Sequence, residues 1–207
     1  MPSVCSHFWS LIAAILREQG VPARAPCGFG AYFVPGRFED HWVAEYWNTA
    51  EQRWVLVDAQ LDHVQRSAFR INFDPTDVPH ERFILAGDAW KECRAGRAGP
   101  ELFGLSIIKE QGLWWIAQNL IRDLASLNRL EMLPWDVWGI MPKPTGTISD
   151  DDGTFLAKRQ KRIVVHGGCG SLRLDERLAL APKSLSQVRA LHHTRQRIPA
   201  MRTNKTG

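Results

Sequence analysis

Apolar residues in the first third of the chain recur with two different periods. In CSHFWSLIAAILREQG, Leu11, Ile12, Ile15 and Leu16 fall at helical threes and fours, and Phe8, Trp9, Ala13 and Ala14 widen that stripe almost all round. This predicts a helix from about Ser6 to Gln19 that is apolar on most faces, and so central and buried. Gly20 supplies its stop and Pro22 forbids its continuation. Ala23 to Phe33 then reads as extended, interrupted by Gly28 and Gly30.

The period drops to two in DHWVAEYWNTAEQRWVLVDAQLD, the best hairpin signal in the chain. Two β-rich runs, His41–Trp47 and Arg53–Asp58, flank the polar Asn48–Glu51. Alternation puts His41, Val43, Glu45 and Trp47 on one face, and Trp54, Leu56 and Asp58 on one face of the second run. With a four-residue loop, Trp47 stands opposite Gln52 and His41 opposite Asp58, side chains together. A register one residue off would send them to opposite faces.

From Arg66 to Gly99 the pattern is loop-rich, with apolar islands at Phe69–Phe73 and Arg82–Ala86. A second helix is predicted over Gly112–Glu131, where Leu113, Ile116, Leu120, Leu124 and Leu127 recur at threes and fours. Pro134 ends it. Beyond Pro142 the composition changes: Asp150–Asp152 gives way to KRQKR, and no aromatic residue follows Phe155. The reading is one domain over 1–142 and a disordered basic tail over 143–207.

Charge follows the same division. The chain is +4 overall, but Leu156–Gly207 holds twelve Lys or Arg against Asp175 and Glu176, a net +10 that leaves −6 for residues 1–155. The folded part is mildly acidic, so the high pI does not indicate a specific nucleic-acid partner. The tail is given no function; an out-of-frame ending is an alternative to a disordered extension. Cys5, Cys27, Cys93 and Cys169 form no CxxC pair and no metal-ligand spacing, which suits a reducing compartment. The run FWSLIAAIL has no basic segment before it and is far shorter than the ~20 residues of a membrane span. A cytoplasmic protein with no membrane association, no cofactor and no metal is expected.

Against that background Cys5, His41 and Asp58 form a candidate catalytic triad. The amides and dipole at a helix start favour a thiolate, so a cysteine heading a helix is a lowered-pKa nucleophile. An imidazole takes the thiol proton and returns it to the leaving group, and a carboxylate on its other nitrogen fixes the tautomer.

These three stretches resemble the transglutaminase-like superfamily. Its core has a cysteine heading a buried helix that ends in a G-[IV]-PAR stretch, here VCSHFWSLIAAILREQGVPAR. A histidine then opens a strand, here DHWVAEYW, and a WxxxD strand follows, here RWVLVDAQ. The resemblance covers about residues 3–60. It implies a papain-like α+β fold, with a buried N-terminal helix packed on an antiparallel sheet and a helical extension behind it. It also implies Cys5 as nucleophile, His41 as base and Asp58 as its orienting partner, acting on a peptide or protein amide through a thioester. Hydrolysis, glutamine transamidation and a non-enzymatic binding module remain as alternatives. Relatives carry a substantial segment before the cysteine that often completes the oxyanion site. Here only Met1–Val4 precede it, so the N-terminal part of the core is expected to be absent, with the Cys5 amide as one oxyanion donor.

Other residues carry plainer expectations. Cys27 is a small core residue, His63 a loop residue, and His7 a surface or supporting group. Glu45 is expected to pair with Arg53 or Arg37, and Trp42, Trp47 and Trp54 to be core or pocket wall. Asn119, Arg122 and Asp123 read as a solvated strip, with a cleft-roofing helix as the functional alternative.

Overall fold

A computed structural model of the chain describes residues 5–128, together with 130, 132–137, 141–144, 146, 149 and 151, and side chains from Phe8 onward. The basic tail, including KRQKR and Cys169, and the side chains of Cys5 and His7 lie outside the described parts.

Helix α1 (Cys5–Glu18) leads into strands β1 (Ala23–Arg24), β2 (Cys27–Gly30), β3 (Phe38–Trp42), β4 (Ala44–Asn48) and β5 (Arg53–Val57). Next come α2 (His63–Ala68), β6 (Phe83–Leu85), α3 (Ala86–Arg94), β7 (Phe103–Leu105), β8 (Glu110–Gln111) and α4 (Leu113–Leu127). The strands form a three-stranded sheet, β1-β4-β5, and a five-stranded one, β6-β2-β3-β7-β8. Their pairings are antiparallel except β3 with β7, which is parallel. The class is α+β as expected, and α1 packs mainly on the antiparallel β1-β4-β5 sheet; the other sheet is mixed.

The two sheets share one ribbon. Ala23 and Arg24 pair with Tyr46 and Glu45, and Cys27–Gly30 with Trp42–Glu39, in a single continuous register. Between them stands Pro26, which has no N–H to give, opposite Val43, whose amide still donates to the Pro26 carbonyl at 3.3 Å. The ladder parts there. The strand expected over His41–Trp47 is therefore two, β3 and β4, in different sheets.

The hairpin register also differs from expectation. Trp47 pairs with Trp54 and Asn48 with Arg53, so the connecting residues are 49–52 and the pairing is shifted by two. Asn48 Oδ1 accepts the amides of Ala50 and Glu51, an Asx turn that begins on the last paired residue of β4, so the connection starts one residue later than expected from polarity alone. Gln52 takes φ 52°, the left-handed conformation that closes it. A two-residue shift preserves which face each side chain takes.

The helices correct four further expectations. In α1, Trp9 and Ala13 are fully buried against the ribbon, while Phe8, Leu11 and Ile15 are 44, 56 and 49 % exposed. The helix is half-buried among the described residues, not central. Helix α4 ends at Leu127 with Asn128 as its cap, short of Glu131, and from Trp115 to Asp123 every residue is buried. Helix α3 occupies a stretch expected to be loop, because Ala86, Ala89 and Trp90 are too few and too small to make a readable stripe. Likewise His63 opens α2, capped by Asp62 accepting from Gln65.

Helices α3 and α4 bury Phe29, Trp90, Phe103, Ile116 and Leu120 in one cluster. Trp9, Ala13, Cys27 and Trp42 fill a second between α1 and the ribbon. Tyr32, Val43, Leu56, Leu61, Val78 and Phe83 fill a third.

Candidate functional site

Two of the three predicted site residues are in direct contact. His41 Nε2 lies 2.8 Å from Asp58 Oδ2, and both side chains are buried. Their route together is not the one expected. His41 sits on β3, where its ladder partner is Gly28, and Asp58 stands just past the end of β5. The ladder breaks at Pro26 and Val43, between β3 and β4. Asp58 is held by its own amide, which donates to the Pro75 carbonyl at 2.7 Å, and by Oδ1, which accepts the Gln60 amide.

Sequence reasoning missed a third partner. Tyr32, in the loop between β2 and β3, donates its hydroxyl to the same Asp58 Oδ2 at 2.6 Å. Burial first, and then the nearby Asp58 carboxylate, push the Tyr32 phenol well above its ordinary pKa, so it stays a donor. The usable signal was AYF directly after the strand glycines, though aromatic loop residues seldom announce a hydrogen bond.

The imidazole stands among rings, with centroids 4.8 Å from Phe33, 6.0 Å from Trp9, 6.1 Å from Tyr32 and 6.5 Å from Phe83. Glycines make room for this. A Cβ on Gly28 would lie 2.3 Å from the Ile84 carbonyl, and one on Gly30 would lie 2.7 Å from the Phe33 ring.

Asp40 and His41 are consecutive on β3 and so point to opposite faces. Asp40 faces α4, where Oδ1 accepts from Asn119 Nδ2 and Oδ2 from Trp115 Nε1, both at 2.9 Å. Arg122 donates to Asn119 Oδ1 at 2.8 Å and to Gln118 Oε1 at 2.9 Å. Asp123 accepts the Cys27 amide at 2.7 Å, which ties β2 to the same helix. The polar strip expected to be solvated is thus buried, because it bonds the strands that carry the site. Burial raises Asp40, opposed by the Arg122 charge and the Asn119 and Trp115 bonds, and burial lowers Arg122. Glu45 pairs with Arg24, not with Arg53 or Arg37: Arg24 is its cross-strand neighbour, whereas Arg53 reaches Glu51 and Asp77, and Arg37 reaches Gln111. Arg24 also lies over the half-buried Trp54, and Trp42 is core.

Cys5 is the first residue of α1. Trp9, four residues on in the same helix, has its ring centroid 6.0 Å from that of His41. The described thiols are poor nucleophiles. Burial, with the Asp40 and Asp123 charges adding to it, raises Cys27 well above its ordinary value. Burial, Glu101 and Glu92 push Cys93 up to about 11. Among the described residues no cluster of His, Cys, Asp or Glu could hold a metal ion, and no helix is long and apolar enough to cross a membrane.

Residues 2–59 match the model of the transglutaminase-like superfamily, the segment that holds α1, the ribbon and the His41–Asp58 pair. Over 62 residues the chain is 36 % identical to a protein-glutamine gamma-glutamyltransferase of Pseudomonas aeruginosa, a match covering 26 % of this chain and 9 % of that protein. The chain thus matches only a small part of this curated relative. No solved structure matches the chain.

Proposed function

We propose that the protein is a cysteine-dependent acyltransferase acting on peptide or protein amides, with Cys5 as nucleophile, His41 as base and Asp58 as its orienting carboxylate. The observation that carries this reading is the buried His41–Asp58 pair with its second donor, Tyr32. Engagement of Nε2 by Asp58 leaves Nδ1 as the ring nitrogen available to a thiol. The free amides at the start of α1 favour the Cys5 thiolate there.

In this mechanism Nδ1 takes the Cys5 proton as Sγ attacks the amide carbonyl. The tetrahedral intermediate collapses, the C–N bond breaks, and His41 returns the proton to the leaving amine or ammonia. Water or an acceptor amine then attacks the thioester, gives its proton to Nδ1 and releases the thiol. Asp58 steadies the imidazolium formed in each half. The Cys5 amide is one candidate oxyanion donor. Hydrolysis is the simplest outcome. A second reading, amine transfer to a glutamine side chain, is favoured by the similarity to a protein-glutamine gamma-glutamyltransferase.

The test is site-resolved alkylation of Cys5 by iodoacetamide against pH, in wild type and His41→Ala. Rapid labelling well below the ~8.5 of an ordinary thiol, lost in the variant, is the expected result. Labelling as slow as that of Cys93 and unchanged by the substitution would leave a non-enzymatic binding module. Given an activated thiol, ammonia release from a glutaminyl peptide with and without an added amine separates hydrolysis from transfer.

A further inference from the structure

The loop between β2 and β3 and the segment after α2 meet beside His41 through aromatic side chains. Tyr32 and Phe33 follow β2, while Phe69 caps the end of α2 and Phe73 lies a few residues on. Phe33 is 4.8 Å from His41 and 5.3 Å, edge to face, from Phe69. Tyr32 lies 4.4 Å from Phe33 and 5.3 Å from Phe73. Tyr32 is buried, Phe33 and Phe73 are half-buried and Phe69 is 40 % exposed, so the chain of rings grades from the buried imidazole out to solvent.

We infer that Phe33, Phe69 and Phe73 form a substrate subsite that takes an aromatic or large aliphatic side chain next to the reacting amide. The inference rests on the proposed acyl transfer, because the site at His41 is what brings a carbonyl there. A peptide advances about 3.3–3.6 Å per extended residue. Two ring-to-ring steps from His41 to Phe69 are therefore within reach of a side chain one or two residues from the attacked carbonyl. Ring faces and edges of this kind attract other rings and large aliphatics. Arg82 lies over Phe73 at 5.9 Å and donates to Asn72 Oδ1.

The test uses Cys5→Ala protein, which cannot react, titrated by tryptophan fluorescence with neutral glutaminyl peptides carrying Phe, Leu, Gly or Asp beside the glutamine. Phe and Leu peptides are expected to bind about tenfold more tightly than the Gly and Asp peptides. Phe69→Ala, a substitution at an exposed ring, should erase most of that difference. Equal affinity across the series, or a preference that survives both Phe69→Ala and Phe73→Ala, overturns the subsite. Binding does not depend on turnover. A Phe preference in a protein whose Cys5 is inert would retain the subsite and remove the chemistry, whereas turnover without preference would do the reverse.

Discussion

Helices α1 and α4 exchange the roles their sequences suggest. The first is apolar almost all round, yet it leaves Phe8, Leu11 and Ile15 largely in solvent. The second carries Gln118, Asn119, Arg122 and Asp123, yet all four are at most 4 % exposed. Hydrophobicity alone orders them wrongly. What decides burial in α4 is that these side chains meet partners fixed by the sheet or by the helix itself: Asp40 for Asn119, the Cys27 amide for Asp123, and the neighbouring turn for Arg122, whose Nε is left unbonded. A buried polar group so satisfied costs little, whereas an unsatisfied one costs several kcal/mol. One helix heads the candidate site with Cys5, and the other holds the strand of the candidate base from behind.

The largest break in this comparison comes from the centre of α4. Leu120 is fully buried, and Leu120→Ala should cost about 2–5 kcal/mol in denaturant unfolding. A cost below 1 kcal/mol would mean that α4 is not the central helix. Next is Asn119→Leu, which keeps the volume but strips Asp40 and Arg122 of a partner; about 1–3 kcal/mol is expected. If α4 only fills space, that substitution should be neutral.

His41 and Asp58 were more legible as partners than the scaffold around them. The two-residue slip in register keeps the faces of β4 and β5, but His41 lies on β3 and Asp58 just past β5, so that pairing does not by itself bring them together. The break in the ladder at Pro26 was readable in principle, but its place depends on Val43 lying opposite, a long-range pairing that no local pattern contains. Tyr32 and the α4 network were hidden for the same reason: their partners are distant in the chain, Asp58 for Tyr32 and Asp40 for Asn119. Helix α3 was missed because Ala, Gly and a single Trp bury it without a stripe.

The smallest expected effect tests α1. Leu11 and Ile15 are about half exposed on the side away from Trp9 and Ala13, so Leu11→Ser and Ile15→Ser should each change stability by no more than about 0.5 kcal/mol. Ala13, buried without spare room, should by contrast respond to Ala13→Leu with a loss of about 1–3 kcal/mol from overpacking. The pair of measurements reads the two faces of one helix under identical conditions. If Leu11→Ser instead cost more than 1 kcal/mol, the outer face of α1 would be covered in solution by something beyond the described residues. The helix would then be central after all, as its sequence suggests, and the asymmetry between α1 and α4 would belong to the described part of the molecule alone.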